Sequence, residues 1–205
     1  MIRRGALIVL EGCDKCGKTT QAKLLEESLI KHGLSVQFLR FPDRQTIIGK
    51  MCNDYLRMTT ELEDHAIHLL FTANRWELVP KMIKLLESGT NLINVDLSWC
   101  KQMESGLPKP DAVFYLDIND EEASKRGDYG RERYENRNNQ IRVAEIYETF
   151  KKEKYWNIIN ANRSVEDIHT DLFRSALKVI TDSGDKIISK LWDQEQHDQG
   201  DFIEK

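Results

Sequence analysis

ALIVLEGCDKCGKTT, residues 6–20, places five apolar residues directly before a glycine-rich turn. The part from Gly12 to Thr19 matches G-x-x-x-x-G-K-[ST], the pattern of a phosphate-binding loop. The two glycines let backbone N–H groups turn inward around an anion, where a side chain would block the approach. A buried-type strand precedes the turn and an amphipathic segment follows it, which is the context that such a loop needs. We therefore interpret the stretch as a phosphate-binding loop rather than as a chance glycine-rich turn.

The side chains of the loop suit a nucleoside triphosphate. Lys18 would place a positive charge against the outer phosphates, and the Thr19 hydroxyl would ligate Mg²⁺. The helix that follows adds its positive N-terminal end to the same site. We expect the nucleotide to be bound by Gly12, Cys13, Lys15, Cys16, Gly17, Lys18, Thr19 and Thr20.

Composition narrows the range of partners. The chain has 205 residues, enough for one α/β domain with a sizeable core, and a net charge of −4. The negative balance argues against nucleic acid as a partner, and no apolar run approaches the length of a membrane span. We expect one domain over residues 1–192, a disordered tail over 193–205 and a cytoplasmic location, with a nuclear or mitochondrial pool left open.

Four cysteines, Cys13, Cys16, Cys52 and Cys100, are too few and too scattered for a secreted disulfide framework. The spacing Cys13-x-x-Cys16 suits a redox or zinc pair, but no second C-x-x-C or H-x-x-x-H accompanies it, and both thiols lie inside the loop. We interpret them as small loop residues in a reducing compartment. Oxidation between them would then impair nucleotide binding, a hypothesis that ATP affinity with and without a thiol reductant tests.

Strand and helix patterns alternate along the chain, which predicts a parallel sheet covered on both faces. Strands are expected at residues 6–10, 35–41, 91–95, 112–117 and 155–159. Helices are expected at 19–31, 47–56, 63–76, 80–89, 119–125 and 141–154, and from Ser164 onward with the stripe Val165, Ile168, Leu172, Ala176 and Val179. The predicted fold class is α/β, a three-layer P-loop domain with a five-stranded parallel sheet and helices on both faces.

Among proteins with such a loop, the sequence favours a small nucleotide kinase. A GTPase would need N-K-x-D to read guanine, and the chain contains no such motif. The short chain leaves no room for motor domains. A kinase closes a basic flap over its phosphates to exclude water. The stretch RGDYGRERYE, residues 126–135, has the charges and glycines for a mobile flap over about 126–136, so ATP and Mg²⁺ are the expected cofactors.

Five stretches then carry a family resemblance: residues 5–21 (GALIVLEGCDKCGKTTQ), 39–44 (LRFPDR), 64–77 (DHAIHLLFTANRWE), 106–111 (GLPKPD) and 125–135 (KRGDYGRERYE). With them, the chain resembles eukaryotic-type thymidylate kinases, of the P-loop nucleoside monophosphate kinase family, over nearly its whole length. The resemblance implies transfer of the ATP γ-phosphoryl group to dTMP, which gives dTDP for dTTP biosynthesis. It also implies a homodimer built through helices, to which the stripe on residues 63–76 would contribute.

The resemblance also implies roles for single residues of the acceptor site. Asp14 resembles the ligand of the sugar 3′-hydroxyl, and Lys15 stands where the family often has an arginine that reaches the transferred phosphate. Arg44 resembles the arginine that binds the monophosphate. The remaining substrate contacts by resemblance are Phe71, stacked on thymine, Arg75, bonded to the base, and Tyr134, which excludes a 2′-hydroxyl.

The chemistry of the expected reaction agrees with these residue types. A phosphate monoester has its second pKa at about 6, so the acceptor is already an anion at neutral pH and no general base is needed. Catalysis then consists of bringing two anions together and neutralising their charge. The groups expected to supply that charge are Mg²⁺, Lys15, Lys18, Arg44 and a flap arginine, Arg131 or Arg133.

One segment departs from the family. Relatives carry Asp-Arg-Tyr at the end of the third strand and then a helix that walls the thymidine pocket, whereas this chain reads NLINVDLSWCKQMESGLPKPD over residues 91–111. Residues 96–111 are a short crossover, since about 10–12 residues are the minimum that includes a helix. Asp96 could be a strand-end carboxylate near Mg²⁺ or, as we prefer, part of the later segment. We expect ATP binding with weakened or absent dTMP phosphorylation. The alternatives are an inactive nucleotide-binding, dimerising protein and a kinase of altered acceptor specificity.

Overall fold

The computed structural model of the chain describes residues 3–95, 101–119, 122–123, 133 and 137–192; the side chains of residues 101–102, 137–139 and 141–142 are outside this description. Five parallel strands form one sheet in the order β2-β3-β1-β4-β5. The strands are β1 (Leu7–Glu11), β2 (Val36–Arg40), β3 (Asn91–Val95), β4 (Ala112–Asp117) and β5 (Trp156–Asn160). The helices are α1 (Lys18–Lys31), α2 (Ile47–Leu56), α3 (Asp64–Trp76), α4 (Val79–Glu87), α5 (Lys101–Glu104), α6 (Arg137–Phe150) and α7 (Val165–Ser183).

One face of the sheet is packed against α1 and α7. Side chains alternate between the two faces of a strand, so alternate residues of β1, β3 and β4 point to the same side. Ile8, Ile93 and Phe114 lie on this side, buried together with Leu25 of α1 and Leu172 of α7. Removing these large aliphatic and aromatic side chains from water is the main stabilising contribution of this layer.

The opposite face is covered by α4 and α6. Leu7 and Leu92 lie against Met82 and Leu86 of α4. Tyr147 of α6 packs on the β4 side of the same face, with its ring centroid 4.9 Å from that of Tyr115 and its hydroxyl donating to Glu11 (2.7 Å). Helices therefore cover both faces of a five-stranded parallel sheet, and the predicted fold class is confirmed.

Element boundaries match the sequence-based expectations with small differences. β3 and β4 span the predicted residues, while β5 begins one residue late. The helix expected over 141–154 is α6, which starts earlier and ends at Phe150. It ends there because the backbone closes a turn in which Glu153 N–H bonds Phe150 O (2.9 Å) and Trp156 N–H bonds Glu153 O (2.9 Å). Val165, expected in a buried stripe, is exposed because it is the first residue of α7.

Side-chain caps occur at the starts of two predicted helices, at Ser164 and Asn119. Ser164 is the N-cap of α7 and accepts the Asp167 N–H (3.1 Å), as its spacing predicts. The Glu122 N–H donates to Asn119 Oδ1 (2.8 Å), which is an N-cap contact at the start of the helix expected over 119–125. Several earlier expectations fall outside the described residues: Asp96, Cys100, Arg131, Tyr134, the rest of the flap apart from Arg133, and the tail over 193–205.

The strand order sets where a ligand site can form. β1 lies between β3 and β4, so the chain leaves it toward one side of the sheet and returns on the other. In open parallel sheets such a reversal opens a crevice beyond the carboxyl ends of the strands. The loop of residues 12–17 follows β1 at this point. Among the described helices, none is both long and apolar enough to cross a membrane.

Candidate active site

The loop after β1 needs glycine at two positions. Gly12 has a φ of 144°, and a Cβ there would lie 2.6 Å from Cys16 Sγ and 2.7 Å from Leu116 O. Gly17, which precedes α1, has a φ of 104°. Positive φ values of this size are accessible to glycine and rarely to other residues. The two glycines therefore let the backbone of the loop form a tight turn. The predicted phosphate-binding conformation is thus compatible with the local geometry.

Lys18 is held beneath this loop. It is the first residue of α1, it is buried, and its Nζ donates to Gly12 O (2.5 Å) and Cys13 O (3.0 Å). Burial lowers the pKa of Lys18, but the negative potential of Cys16, Asp14 and Glu11 outweighs it, so the pKa lies above the ordinary value. The ammonium group is therefore charged at neutral pH and lies within reach of an anion bound by the loop.

Asp14, at the tip of the loop, is fixed by a residue that sequence reasoning did not identify. Its N–H donates to Gln140 Oε1 (2.8 Å), and Gln140 Nε2 donates to Asp14 Oδ2 (2.7 Å). Gln140 lies in α6 and is buried. The two side chains thus form a reciprocal pair that holds the loop tip against α6.

A cleft of about 690 Å³ lies over the loop and brings most of the predicted residues together. Arg44 contributes from the segment after β2, where its Nη1 also donates to Asn53 Oδ1 of α2 (2.9 Å). The predicted residues that line the cleft are Asp14, Lys15, Cys16, Gly17, Lys18, Thr19, Thr20 and Arg44.

Two arginines line the same cleft and were not predicted. Arg40 is the last residue of β2, and Arg163 immediately precedes the N-cap of α7. Arg163 is oriented by Asp171 (2.8 Å) and by Asn160 O (3.1 Å). Both follow or end a strand, and ligands of open parallel sheets bind beyond the carboxyl ends of the strands, so this position could have indicated them.

Phe71 and Arg75 lie outside the lining of this cleft. Arg75 is buried and ion-paired with Glu104, and its Nη2 also lies 3.4 Å from Thr72 Oγ1. Phe71 is half-buried against the apolar cluster of α2 and α3 that includes Tyr55. The predicted base-binding pair therefore does not line the described cleft over the phosphate loop.

Arg133, the described arginine of the flap, contacts the end of α2. Its Nε donates to Tyr55 O (3.1 Å), its Nη2 bonds Glu61 (2.6 Å), and its guanidinium carbon lies 4.2 Å from the centroid of the Tyr55 ring. It is absent from the described lining of the phosphate cleft.

The loop thiols are protonated at neutral pH. Burial, followed by the negative potential of Cys16, raises the pKa of Cys13 to about 11. Burial likewise raises the pKa of Cys16. Within the described ranges, no group of three His, Cys, Asp or Glu side chains could hold a metal ion. These thiols are therefore weak nucleophiles inside a packed loop.

Comparison with known proteins shows similarity over most of the chain, beyond the residues of this cleft. A sequence profile of the family described as thymidylate kinase matches residues 10–172. The chain belongs to the thymidylate kinase family. The thymidylate kinases of Danio rerio and Homo sapiens are each 40% identical to it over 208 aligned positions, which cover 93% of this chain and 98% of the relative. That of Dictyostelium discoideum is 42% identical over 188 positions, covering 84% and 85%.

A solved thymidylate kinase structure shares the fold of this family member. The enzyme from Candida albicans superimposes with a TM-score of 0.76 at 32% identity, covering 87% of this chain and 93% of the other. The family resemblance inferred from the five sequence stretches is thereby confirmed. The alignment with the Danio rerio enzyme has 208 positions but uses only 93% of the 205 residues of this chain. It therefore contains gaps, positions at which the relative has a residue and this family member has none.

Proposed function

We propose that the protein transfers the γ-phosphoryl group of ATP to dTMP, giving ADP and dTDP for dTTP synthesis. The observation that carries this proposal is the cleft in which the phosphate loop, Lys18 and Arg44 come together, in a chain of the thymidylate kinase family. The relatives named thymidylate kinase align with almost all of their length. A donor triphosphate on the loop and an acceptor monophosphate at Arg44 would then face one another across one cleft.

The residues of the loop fit ATP with Mg²⁺. Thr19 is the second residue of α1 and lines the cleft, which supports its hydroxyl as a ligand of a metal ion next to the phosphates. Mg²⁺ keeps several water and phosphate ligands and needs only one or two from the protein. When bound, Mg²⁺ neutralises charge on the outer phosphates.

The positive side chains of the cleft would neutralise the phosphate charge that Mg²⁺ leaves uncompensated. Lys15 and Lys18 extend from the loop, while Arg40, Arg44 and Arg163 contribute guanidinium groups from other elements. An acceptor phosphate that is already ionised needs orientation and charge compensation rather than a base. We assign the chemical step to Lys15, Lys18 and Arg44, and we keep Arg133 as a candidate that would have to leave Tyr55 to take part.

Recognition of the deoxynucleoside is assigned by family resemblance. Asp14 would bond the 3′-hydroxyl, Phe71 would stack on the base, Arg75 would bond its edge, and Tyr134 would exclude a 2′-hydroxyl. The ion pair between Arg75 and Glu104 favours a second candidate function, a nucleoside monophosphate kinase of altered acceptor specificity. A guanidinium that is already paired with a carboxylate has fewer donors left for a base.

Activity on dTMP is proposed to be weaker than in relatives. The chain lacks the Asp-Arg-Tyr of the family, and its third and fourth strands are joined by residues 96–111. Loss of one phosphate-binding arginine removes a charge-assisted bond of about 1.5–3 kcal/mol. That corresponds to roughly a ten- to a hundredfold loss in catalytic efficiency.

A coupled assay of ADP release tests the function. The protein is incubated with ATP and Mg²⁺ and with dTMP, dUMP or AMP, and Lys18→Ala serves as the matched control for contaminating kinases. We expect measurable turnover with dTMP, below that of an intact relative, and none in the control. Turnover equal to that of the relative would refute the impairment. Activity on dUMP or AMP without dTMP would support the altered specificity.

We also propose that the protein is a homodimer. Apolar side chains remain exposed on α2 and α3, among them Ile47, Met51 and Leu69. An exposed apolar patch on adjacent helices is typical of a protein–protein interface. Light scattering after size exclusion tests the dimer. ATP binding by a dimer, with no acceptor nucleotide raising the melting temperature, would favour the non-catalytic alternative.

A further inference from the structure

The segment that carries Arg44 is packed directly against the start of α2. Arg44 lies in a turn over residues 43–46, in which the Thr46 N–H donates to Asp43 O (3.2 Å). Thr46 is also the N-cap of α2, and its Oγ1 accepts the Gly49 N–H (3.0 Å). A Cβ at Gly49 would overlap Asp43 O. We call residues 43–46 the Arg44 turn, and its close packing on α2 leaves it little room to move on that side.

Asn74 of α3 bonds both ends of the Arg44 turn. Its side chain is fully buried. Asn74 Oδ1 accepts the Asp43 N–H (2.7 Å), and Asn74 Nδ2 donates to Thr46 Oγ1 (2.9 Å) and to Glu77 Oε1 (2.6 Å). A buried polar group that loses its partner is costly, so an amide with three such bonds holds its neighbours in place. The turn is thus attached to α3 as well as to α2.

Glu77, the C-cap of α3, determines which way the Asn74 amide points. Its carboxylate accepts from Asn74 Nδ2 and from Thr46 Oγ1 (2.6 Å). An ionised carboxylate only accepts hydrogen bonds, so it pairs with the nitrogen of the amide and not with the oxygen. The amide oxygen is then left to face the Asp43 N–H. Glu77 therefore selects the orientation of Asn74 that serves both ends of the turn.

Arg44 connects this network with the phosphate cleft. Its side chain lines the cleft over the loop, and its Nη1 donates to Asn53 Oδ1 of α2 (2.9 Å). Asn74 and Glu77 are not among the described residues that line the cleft. Any effect that they have on a ligand there must therefore pass through the Arg44 turn. A guanidinium whose backbone is already fixed loses less conformational freedom when it binds an anion.

We propose that Asn74, oriented by Glu77, is a positioning residue for the acceptor phosphate. It holds the backbone of Arg44 where the guanidinium can bind a phosphate monoester. This inference rests on the proposed function, which assigns the acceptor monophosphate to Arg44 and the donor triphosphate to the loop after β1. Loss of the network should therefore weaken dTMP binding and leave ATP binding unchanged.

Asn74→Asp tests the network with a side chain of nearly the same shape. The introduced carboxylate faces that of Glu77, and two like charges so close repel each other. We expect the Kd of dTMP to rise about tenfold, the equivalent of one net hydrogen bond, and the Kd of ATP with Mg²⁺ to change less than about twofold. Isothermal titration calorimetry measures both constants.

The double variant Asn74→Asp with Glu77→Gln is the matched rescue. It exchanges the amide and the carboxylate, so that one group again donates to the other. Its dTMP affinity should return close to that of the original chain, and melting curves check that each variant is folded. If the double variant binds dTMP as weakly as Asn74→Asp, or if ATP affinity falls in parallel, the network has a general structural role and the proposal is refuted.

Glu77 is exposed and provides a second test in case Asn74→Asp does not fold. Glu77→Ala removes the acceptor of the Asn74 amide, whereas Glu77→Gln keeps an oxygen for it. The alanine variant should bind dTMP about fivefold more weakly than the glutamine variant, at equal ATP affinity. Equal dTMP affinity of the two variants would overturn the proposal.

Crystal structures separate this inference from the proposed function. If the original chain does not bind dTMP, the proposed function fails, and the position of Arg44 is then compared between the original chain and Glu77→Ala. A shifted Arg44 turn in the variant would support the positioning role of the network, and an unchanged turn would refute it.

Discussion

Gln140 controls how the tip of the phosphate loop is presented. Its side chain both accepts from the Asp14 backbone and donates to the Asp14 carboxylate. We predict that Gln140→Leu lowers the free energy of unfolding by about 1.5–3 kcal/mol, the contribution of a hydrogen bond to a charged group. Because the loop tip loses its anchor, the affinity for ATP should fall as well. Chemical denaturation and an ATP titration measure the two effects.

The control for this substitution is Glu145→Gln, an exposed change on the same helix. It should alter neither the unfolding free energy nor ATP affinity. If Gln140→Leu lost stability but bound ATP as tightly as the original chain, the loop tip would not depend on α6.

The thiols of the loop provide a test at high pH. The pKa of Cys13 is raised by burial to about 11 from an ordinary value of 9, and burial raises that of Cys52 to about 11. A raised folded-state pKa stabilises the fold below the unfolded value and stops doing so as the pH rises through the folded value. We therefore predict that unfolding free energy falls between pH 9 and 11.

Alkylation measures the same property directly. Iodoacetamide reacts with thiolate, so Cys13 should be nearly inert at pH 7.5 in the folded protein and react as an ordinary thiol in denaturant. Peptide mass spectrometry reports the labelled fraction. Rapid labelling of the folded protein at pH 7.5 would contradict the buried, protonated state and would support the redox interpretation of the pair.

Local spacing explains which site residues the sequence could reveal. The loop was predictable because Gly12, Lys18 and Thr19 belong to one contiguous motif of eight residues, so their spacing along the chain is itself the signal. Gln140 and Glu104 were not, because their partners, Asp14 and Arg75, lie far away along the chain. A single glutamine in a helix carries no signal of the loop that it will contact.

Among the helices, α7 depends on its first turn. Ser164 accepts the Asp167 N–H and donates to the Asp167 carboxylate (2.7 Å). We predict that Ser164→Ala lowers the free energy of unfolding by about 1 kcal/mol, because the Asp167 N–H loses its acceptor and the Asp167 carboxylate loses a donor. Thermal and urea unfolding measure the loss. Ser164→Thr keeps a hydroxyl and should recover most of it; an equal loss in both variants would show that packing rather than capping is responsible.

Element boundaries were predictable where a strong signal marks them. α2 and the strands β3 and β4 match their expected residues because apolar runs end sharply at polar or glycine residues. The start of α6 was missed because Arg137 and the residues after it are polar and carry no apolar periodicity. Its position follows instead from contacts with the sheet and the loop, which sequence spacing does not contain.

At the scale of the molecule, Arg4 joins the chain's two ends to the sheet. Its guanidinium is bidentate to Asp111 before β4 (2.8 and 2.6 Å) and donates to Lys186 O after α7 (2.6 Å). Asp111 also accepts the Leu7 N–H (2.9 Å). We predict that Arg4→Met lowers the free energy of unfolding by about 3 kcal/mol, the lower end of the range for buried pairs, because a largely buried carboxylate loses its counter-charge. Urea unfolding measures the loss.

A double-mutant cycle measures the interaction free energy of Arg4 with Asp111 separately from the contribution of each residue alone. Arg4→Met combined with Asp111→Asn should be less destabilised than Arg4→Met alone, because the uncompensated charge is gone. Additive losses would show that the two groups act independently, in contradiction to their bidentate contact.

The five-stranded parallel sheet was predictable from alternating patterns, but the order of its strands was not. Strand pairing joins segments tens of residues apart, such as β1 with β3, and nothing within either segment specifies its neighbour. The connection over residues 96–111 could be recognised as shortened only by comparison with the longer connection that the family has between the same two strands.

The strand order has a consequence for synthesis on the ribosome. β1 is translated first, yet both of its neighbours, β3 and β4, are translated much later, and β2 pairs with β3 rather than with β1. When β1 and the phosphate loop have left the ribosome, β1 therefore has no strand to pair with until residues 91–95, which form β3, have also emerged. The most apolar segment of the protein waits unpaired through nearly half of translation, which is the interval in which chaperones would bind it.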